Sequence, residues 1–171
     1  MWEEIAADAA SESTVWRDAL LPPERWRREP VFSPLAPREH AVGLETIYEG
    51  YLVHYGSPRL FAPPDADAGL LLGDYLYARG LVRIAEVGNV AAVADLAELI
   101  SLCAQGRADG RDEDGIAWAA TAAHLGAGGL DAARARLRID DSAEELEHAA
   151  RGSVGDAAVD AALAAHARLV G

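Results

Sequence analysis

The sequence predicts an all-α fold, a helical bundle, and three observations lead there. The apolar residues make up 51% of the chain and are mostly Ala, Leu and Val, a composition that favours helix over sheet. Apolar positions recur at three-four spacing over most of the chain beyond residue 38, and no run alternates convincingly with period two. Glycines and prolines fall between these periodic stretches, where they act as punctuation. At 171 residues, with 25% charged residues, the chain has the length and the apolar content for one core. The expected organisation is an N-terminal helix and Pro-rich arm over residues 1–37, followed by a bundle domain over residues 38–171.

Taken in order, residues 2–20 form a helix with Ile5, Ala9, Val15 and Trp16 as its apolar members. Five prolines follow between residues 22 and 37, each removing a backbone donor and fixing φ, so this stretch is an extended arm. Its apolar residues Trp26, Val31 and Phe32 read as anchors, on this chain or on a partner. The stretch 38–55 is apolar on two sides, with Val42, Ile47 and Gly50 near one face and Tyr48, Tyr51, Leu52 and Tyr55 near another. Asp65 is placed to N-cap the stretch 66–87, which is apolar nearly all round apart from Asp74, Arg79 and Arg83 and is therefore expected as the central helix. Asp74 and Arg79, as interruptions of a buried helix, are expected to be paired. Gly88 ends that helix and Asn89 starts the next, where Val93, Leu96, Ala97, Ile100 and Cys103 form a stripe opposite Asp95, Glu98 and Ser101. Beyond a polar loop come further Ala-rich helices, a turn at Gly126, Gly128 and Gly129, a capping box from Ser142 and Glu145, and a terminal helix.

Net charge is −13, and no stripe of Lys or Arg is present, so nucleic acid and anionic membrane are not expected partners. No stretch holds the eighteen or so apolar residues that a spanning helix needs, and the first ten residues lack the pattern of a secretory signal. With a single cysteine, the cytoplasm is the expected compartment. The five histidines show no ligand spacing and no Cys-x-x-Cys occurs, so neither a metal site nor a cofactor is expected. The acidic run over residues 111–115 reads as a solvated linker, and Cys103, on an apolar stripe, reads as a buried structural thiol.

The block 69–106 resembles the trans-polyprenyl diphosphate synthase family, whose members read A-x-L-L-G-D-x-L-x-A-R-A followed by a helix break at G-[DN]. Gly73, Asp74, Leu76, Ala78 and Arg79 match in register, as does the break at Gly88 and Asn89. Upstream, Glu45, Ile47, Leu52, Val53 and His54 resemble the segment that precedes the first aspartate-rich motif, and downstream Thr121 and Ala122 resemble the end of K-T-A. The likeness runs over about residues 39–127 and implies a partial isoprenoid-synthase-like fold.

It also implies what is missing. In active members the His is followed by D-D-x-x-D, whose carboxylates hold the magnesium ions of the diphosphate, and here Tyr55 and Gly56 stand in the first two positions. Ala120 stands in place of the lysine of K-T-A, and neither the phosphate-binding R-R-G loop nor a second aspartate-rich motif has a counterpart, Arg59 being the one candidate remnant of the former. The resemblance thus implies no catalytic residue and one set of candidate ligand contacts, Tyr51, His54, Tyr55, Arg59 and Asp74. Tyr51 and Tyr55 read either as the floor of an apolar pocket or as ordinary packing residues. The expected role is that of an accessory or regulatory subunit in polyprenyl diphosphate biosynthesis, with a catalytic prenyl synthase subunit or self-association as the partnership. A stand-alone prenyl- or lipid-binding bundle and a prenyltransferase with residual activity are the alternatives. Contact through residues 70–87, or through the tyrosine face 48–55, is expected.

Overall fold

A computed structural model describes residues 1–111 and 114–170. Helix accounts for 75% of the described residues, and no strand is formed among them. The helices are α1 (Trp2–Glu12), α2 (Thr14–Asp18), α3 (Ala41–Tyr55), α4 (Ala66–Glu86), α5 (Val90–Ala108), α6 (Asp114–Ala123), α7 (Asp131–Asp140), α8 (Glu144–Val154) and α9 (Asp156–Val170). The bundle is therefore all-α, as composition and periodicity predict.

The central helix is α3, not α4. Every α3 residue from Gly43 to Leu52 is buried, including Glu45 and Glu49. On α4 the buried residues are Gly69, Leu72, Gly73, Leu76, Gly80 and Ile84, while Leu70, Leu71 and Val82 stand exposed. The expectation for 66–87 fails because α4 is covered on one side only, where Gly73 and Gly80 meet α3, and no described residue covers Leu70, Leu71 and Val82. The buried surface of α3 is rich in carboxylates and phenols, whose polar atoms are satisfied within the chain.

Four glycines set the distance between these two helices. A Cβ on Gly50 would lie 2.9 Å from the Gly73 carbonyl oxygen, and one on Gly80 would lie 2.8 Å from the Gly43 carbonyl oxygen. Gly43 with Gly80 and Gly50 with Gly73 thus form two crossing points, seven residues apart on each helix, in an antiparallel pair whose backbones touch. Seven residues are two turns, so both points fall on one line along each helix.

The caps of α4 and α5 form where the sequence places them. Asp65 Oδ1 accepts from Ala68 N at 2.8 Å, Asn89 Oδ1 accepts from Ala92 N at 3.1 Å, and Gly88 takes φ +88° after the last turn of α4. The stripe of α5 is rotated from the expected one: Asp95 is buried and Ala97 exposed, because Arg134 and the Gly126 amide both donate to the Asp95 carboxylate, at 3.1 and 2.9 Å. Gly126, Gly128 and Gly129 make the expected turn, all with positive φ. The Ser142 and Glu145 capping box does not form: α8 starts at Glu144 with Ala143 as its cap residue and no side-chain capping bond. Glu144, Glu145 and Glu147 in that first turn face the positive end of the helix dipole instead.

The arm packs on its own chain. Val31 and Phe32 are buried, Phe32 stacking on Trp118 at 5.5 Å and meeting Tyr48 edge-on at 5.1 Å. Trp26 is half-buried, its indole donating to the Leu21 carbonyl. The arm also pairs with the segment after α3, Leu21 N donating to Leu60 O and Ala62 N to Ala19 O. The principal core gathers around Phe32, Tyr48, Tyr51 and Trp118, and a second one joins α1 to Leu60, Phe61, Leu72 and Leu76.

Candidate functional site

Two buried polar clusters and one open recess surround α3. Glu45 and Glu49, one turn apart, meet Arg59, and all three side chains are wholly buried. Arg59 donates from Nη1 to Glu45 Oε2 at 2.7 Å and from Nε to Glu49 Oε2 at 2.9 Å. The remaining carboxylate capacity is filled by backbone: Val31 N and Ser33 N donate to Glu45 Oε1, and Arg59 N and Leu60 N donate to Glu49 Oε1. The guanidinium lies between the Trp2 and Tyr48 rings, 4.7 and 5.0 Å from their centroids. Burial works against the charge on Arg59, and the two carboxylates overcome it, so the group is held above its ordinary value. This clamp binds the arm and the segment after α3 to the central helix.

The second cluster centres on Asp114, the first residue of α6. Arg107 Nε donates to Asp114 Oδ2 at 2.6 Å, Tyr51 Oη donates to the same oxygen, and Arg107 Nη2 donates to Tyr51 Oη at 2.8 Å. His166 joins from α9, with Nε2 3.4 Å from Asp114 Oδ1 and Nδ1 2.8 Å from Tyr48 Oη. The tautomer that satisfies all four groups carries the proton on Nε2, facing Asp114, and accepts the Tyr48 hydroxyl at Nδ1. Burial on its own would raise the Asp114 carboxyl, but the donors from His166 and Tyr51 and the charge of Arg107 hold it below its usual value. Burial pushes both Tyr48 and Tyr51 upward, so neither ionises at ordinary pH. It also pushes the Cys103 thiol well up, which fits an inert buried thiol. A hollow of about 20 Å³ beside Asp114, lined by Leu102, Cys103, Gly106, Arg111 and Leu137, has room for a water molecule and not for a substrate.

The acidic run expected as a solvated linker is corrected at Asp114, which is buried within this cluster. Asp112 and Glu113 lie outside the described residues.

The recess lies at the junction of α3 and α4. Val53, His54, Pro58, Pro63, Gly69 and Leu70 outline about 370 Å³ open to solvent. His54 is packed on the α4 backbone at Gly73, where a Cβ would come within 2.3 Å of its Nε2. That nitrogen lies 3.3 Å from Asp74 Oδ1 but without the alignment of a hydrogen bond. Burial lowers the His54 pKa and the Asp74 carboxylate offsets part of the shift, so the ring is neutral at pH 7.

Of the residues singled out from the sequence, four are brought together. Tyr51 and Tyr55 are 5.3 Å apart, Tyr55 and His54 are 5.6 Å apart, and Asp74 adjoins His54. Arg59 is taken into the clamp and presents no surface. The expected pairing of Asp74 and Arg79 as interruptions of a buried face holds only at Arg79, which donates to Asp8 of α1 at 2.7 Å, while Asp74 is exposed. The tyrosine face 48–55 is unavailable as an outer contact, because Tyr48 and Tyr51 belong to the core. Glu45, Glu49, Arg107, Asp114 and His166 were not singled out as site residues. Two glutamates one turn apart in an otherwise apolar helix were a usable signal, whereas Asp114 and His166 lie 52 residues apart with nothing local to join them.

Among the described residues, no three His, Cys, Asp or Glu side chains are grouped to hold a metal ion, and no helix is long and apolar enough to cross a membrane. Comparison with protein-family models, with curated proteins and with solved structures finds no match, which leaves the arrangement to be read from its own chemistry.

Proposed function

We propose that the chain is a non-catalytic, polyprenyl-synthetase-like protein that serves polyprenyl diphosphate biosynthesis as an accessory subunit of a catalytic prenyl synthase. The observation that carries the reading is the end of α3. Where the resembled family presents its first two aspartates, this chain has Tyr55, turned against Tyr51, and Gly56. A Cβ on Gly56 would come within 2.7 Å of the Leu169 carbonyl oxygen, and Ser57 N donates to that same oxygen at 2.8 Å. The end of α9 thus occupies the space a second carboxylate would need, and magnesium would find one neutral phenol in place of two anionic donors.

A second reading, a stand-alone prenyl- or lipid-binding bundle, is favoured by the open recess beside His54, where Val53, Pro58, Pro63 and Leu70 stand with His54 and Asp65. One experiment separates the two. The purified chain is assayed with isopentenyl diphosphate, an allylic diphosphate and magnesium, alone and mixed with a catalytic prenyl synthase from the same source. The expected result is no turnover alone and an altered rate or product length in the mixture. Chelator-sensitive turnover by the chain alone would overturn the non-catalytic assignment. An unchanged partner enzyme, together with saturable binding of a prenyl alcohol, would overturn the subunit assignment in favour of the binder.

A further inference from the structure

We propose that the outward face of α4 is a docking surface for an amphipathic helix with an apolar seam flanked by basic side chains. The inference stands on exposure and charge, and it holds whether or not the partner is a prenyl synthase.

Seven large hydrophobic side chains are exposed among the described residues, and five of them fall between residues 70 and 90: Leu70 at 57%, Leu71 at 60%, Val82 at 47%, Val87 at 43% and Val90 at 81%. Of these, Leu71 and Val82 share one line along α4, Leu70 stands about a quarter turn aside, and Val87 and Val90 lie past its last residue, Glu86. The line is helical. Leu71, Ala78, Val82 and Ala85 follow one another at three-, four- and seven-residue steps, on the side of α4 opposite to Leu72, Leu76, Gly80 and Ile84, which pack inward. The seam runs over residues 71–85, about 21 Å, which is the length of a four-turn helix. It widens toward α2, where Trp16 stacks on Tyr75 at 6.0 Å.

Charge selects the occupant. Asp67, Asp74 and Glu86 are exposed along the same face. The two arginines of α4 are turned aside and neutralised by α1: Arg79 meets Asp8, and Arg83 meets Asp8 and Glu4. The border of the seam is therefore acidic, on a chain of net charge −13. A second copy would bring the same acids against one another, whereas a partner helix with Lys or Arg beside its apolar positions would match them.

The test uses three labelled synthetic peptides of about 20 residues, a length that spans the seam. One has a Leu/Ala seam flanked by Lys, one the same seam flanked by Glu, and one Lys flanks with the seam leucines replaced by Ser. Binding is followed by fluorescence anisotropy against the full chain and against Leu71→Ser, Val82→Ser and, as a control away from the face, Ile139→Ser. The expected result is that the Lys-flanked seam peptide binds the parent chain and the Ile139→Ser control alike, and at least about tenfold more weakly to Leu71→Ser and Val82→Ser, a difference of about 1.4 kcal/mol. The Glu-flanked and Ser-seam peptides should be weaker by a similar factor. Equal binding of the Ser-seam peptide, or unchanged binding by both seam variants, would overturn the proposal. So would sedimentation showing a dimer of the parent chain that Leu71→Ser and Val82→Ser dissociate, since the occupant would then be a second copy.

Discussion

Arg59 and Asp114 are both buried charged groups held by α3, yet their surroundings follow different rules. Around Arg59 each carboxylate oxygen accepts from the guanidinium or from a backbone amide, no solvent reaches the group, and the partners come from the arm and from the segment that follows α3. Around Asp114 the partners are side chains from three different helices, Tyr51, Arg107 and His166, and a water-sized hollow adjoins them. Tyr48 joins the two, lying under the guanidinium and bonding His166 through its hydroxyl. The difference teaches what each group is for: the first fixes chain segments in place, and the second holds α5, α6 and α9 on the tyrosines of α3 through bonds that depend on the charge of Asp114.

The largest effect expected from breaking this comparison is at Arg59. Arg59→Met leaves two carboxylates buried without their cation and should lower stability by about 3–5 kcal/mol, read as a shift in urea midpoint. Adding Glu45→Gln and Glu49→Gln to that variant should recover part of the loss, because the amide oxygens still accept from the backbone. A loss at Arg59 smaller than at Asp114 would reverse the ranking of the two clusters.

Asp114→Asn comes next, at about 2–3 kcal/mol, since several donors to a charge are weakened together. Its acid response sharpens the comparison. The Asp114 carboxyl is held below its unfolded value, so its contribution is fully present above about pH 4 and is lost as pH falls through the lower folded value. Denaturation between pH 4 and pH 2 should therefore cost the parent chain more stability than it costs Asp114→Asn. Parallel acid curves for the two proteins would show that this carboxylate contributes nothing to the linkage.

Tyr48→Phe is the smallest change. It removes the hydroxyl that faces His166 Nδ1 and keeps the ring under Arg59, so a loss of about 1 kcal/mol is expected. A loss as large as that of Asp114→Asn would mean that the two clusters act as one network.

Features set by neighbours in sequence were legible, and those set by distant partners were not. Asp65, Gly88 and Asn89 act on atoms within a few residues of themselves, and each does what its type and position imply. Ser142 and Glu145 have the right spacing, but α8 begins beyond Ser142, and a cap pattern has meaning only at a helix start. Asp95 reads as a solvent residue until Arg134, 39 positions away, is folded against it. The burial of α3 was hidden for the same reason, since the groups that satisfy Glu45 and Glu49 lie ten or more residues off in the chain. Of the candidate site, the proximity of Tyr51, His54 and Tyr55 follows from their spacing on one helix, whereas Asp74 reaches His54 only through the packing of α4 on α3, and the inward turn of Arg59 depends on Glu45 and Glu49, ten or more residues away.

The glycine crossings between α3 and α4 also limit how this molecule can move. With Gly50 on Gly73 and Gly43 on Gly80, a slide of one residue would drive Ile47 or Leu76 into the opposing backbone, and the next register with glycine against glycine, Gly50 on Gly69, is four residues away, about 6 Å. Sliding of one packed helix along the other, a common route by which a contact on one side of a protein is felt on the far side, is closed to this pair. A load placed on the outer surface of α4 is carried to α3 as displacement of one stiff hairpin, and both polar clusters travel with it.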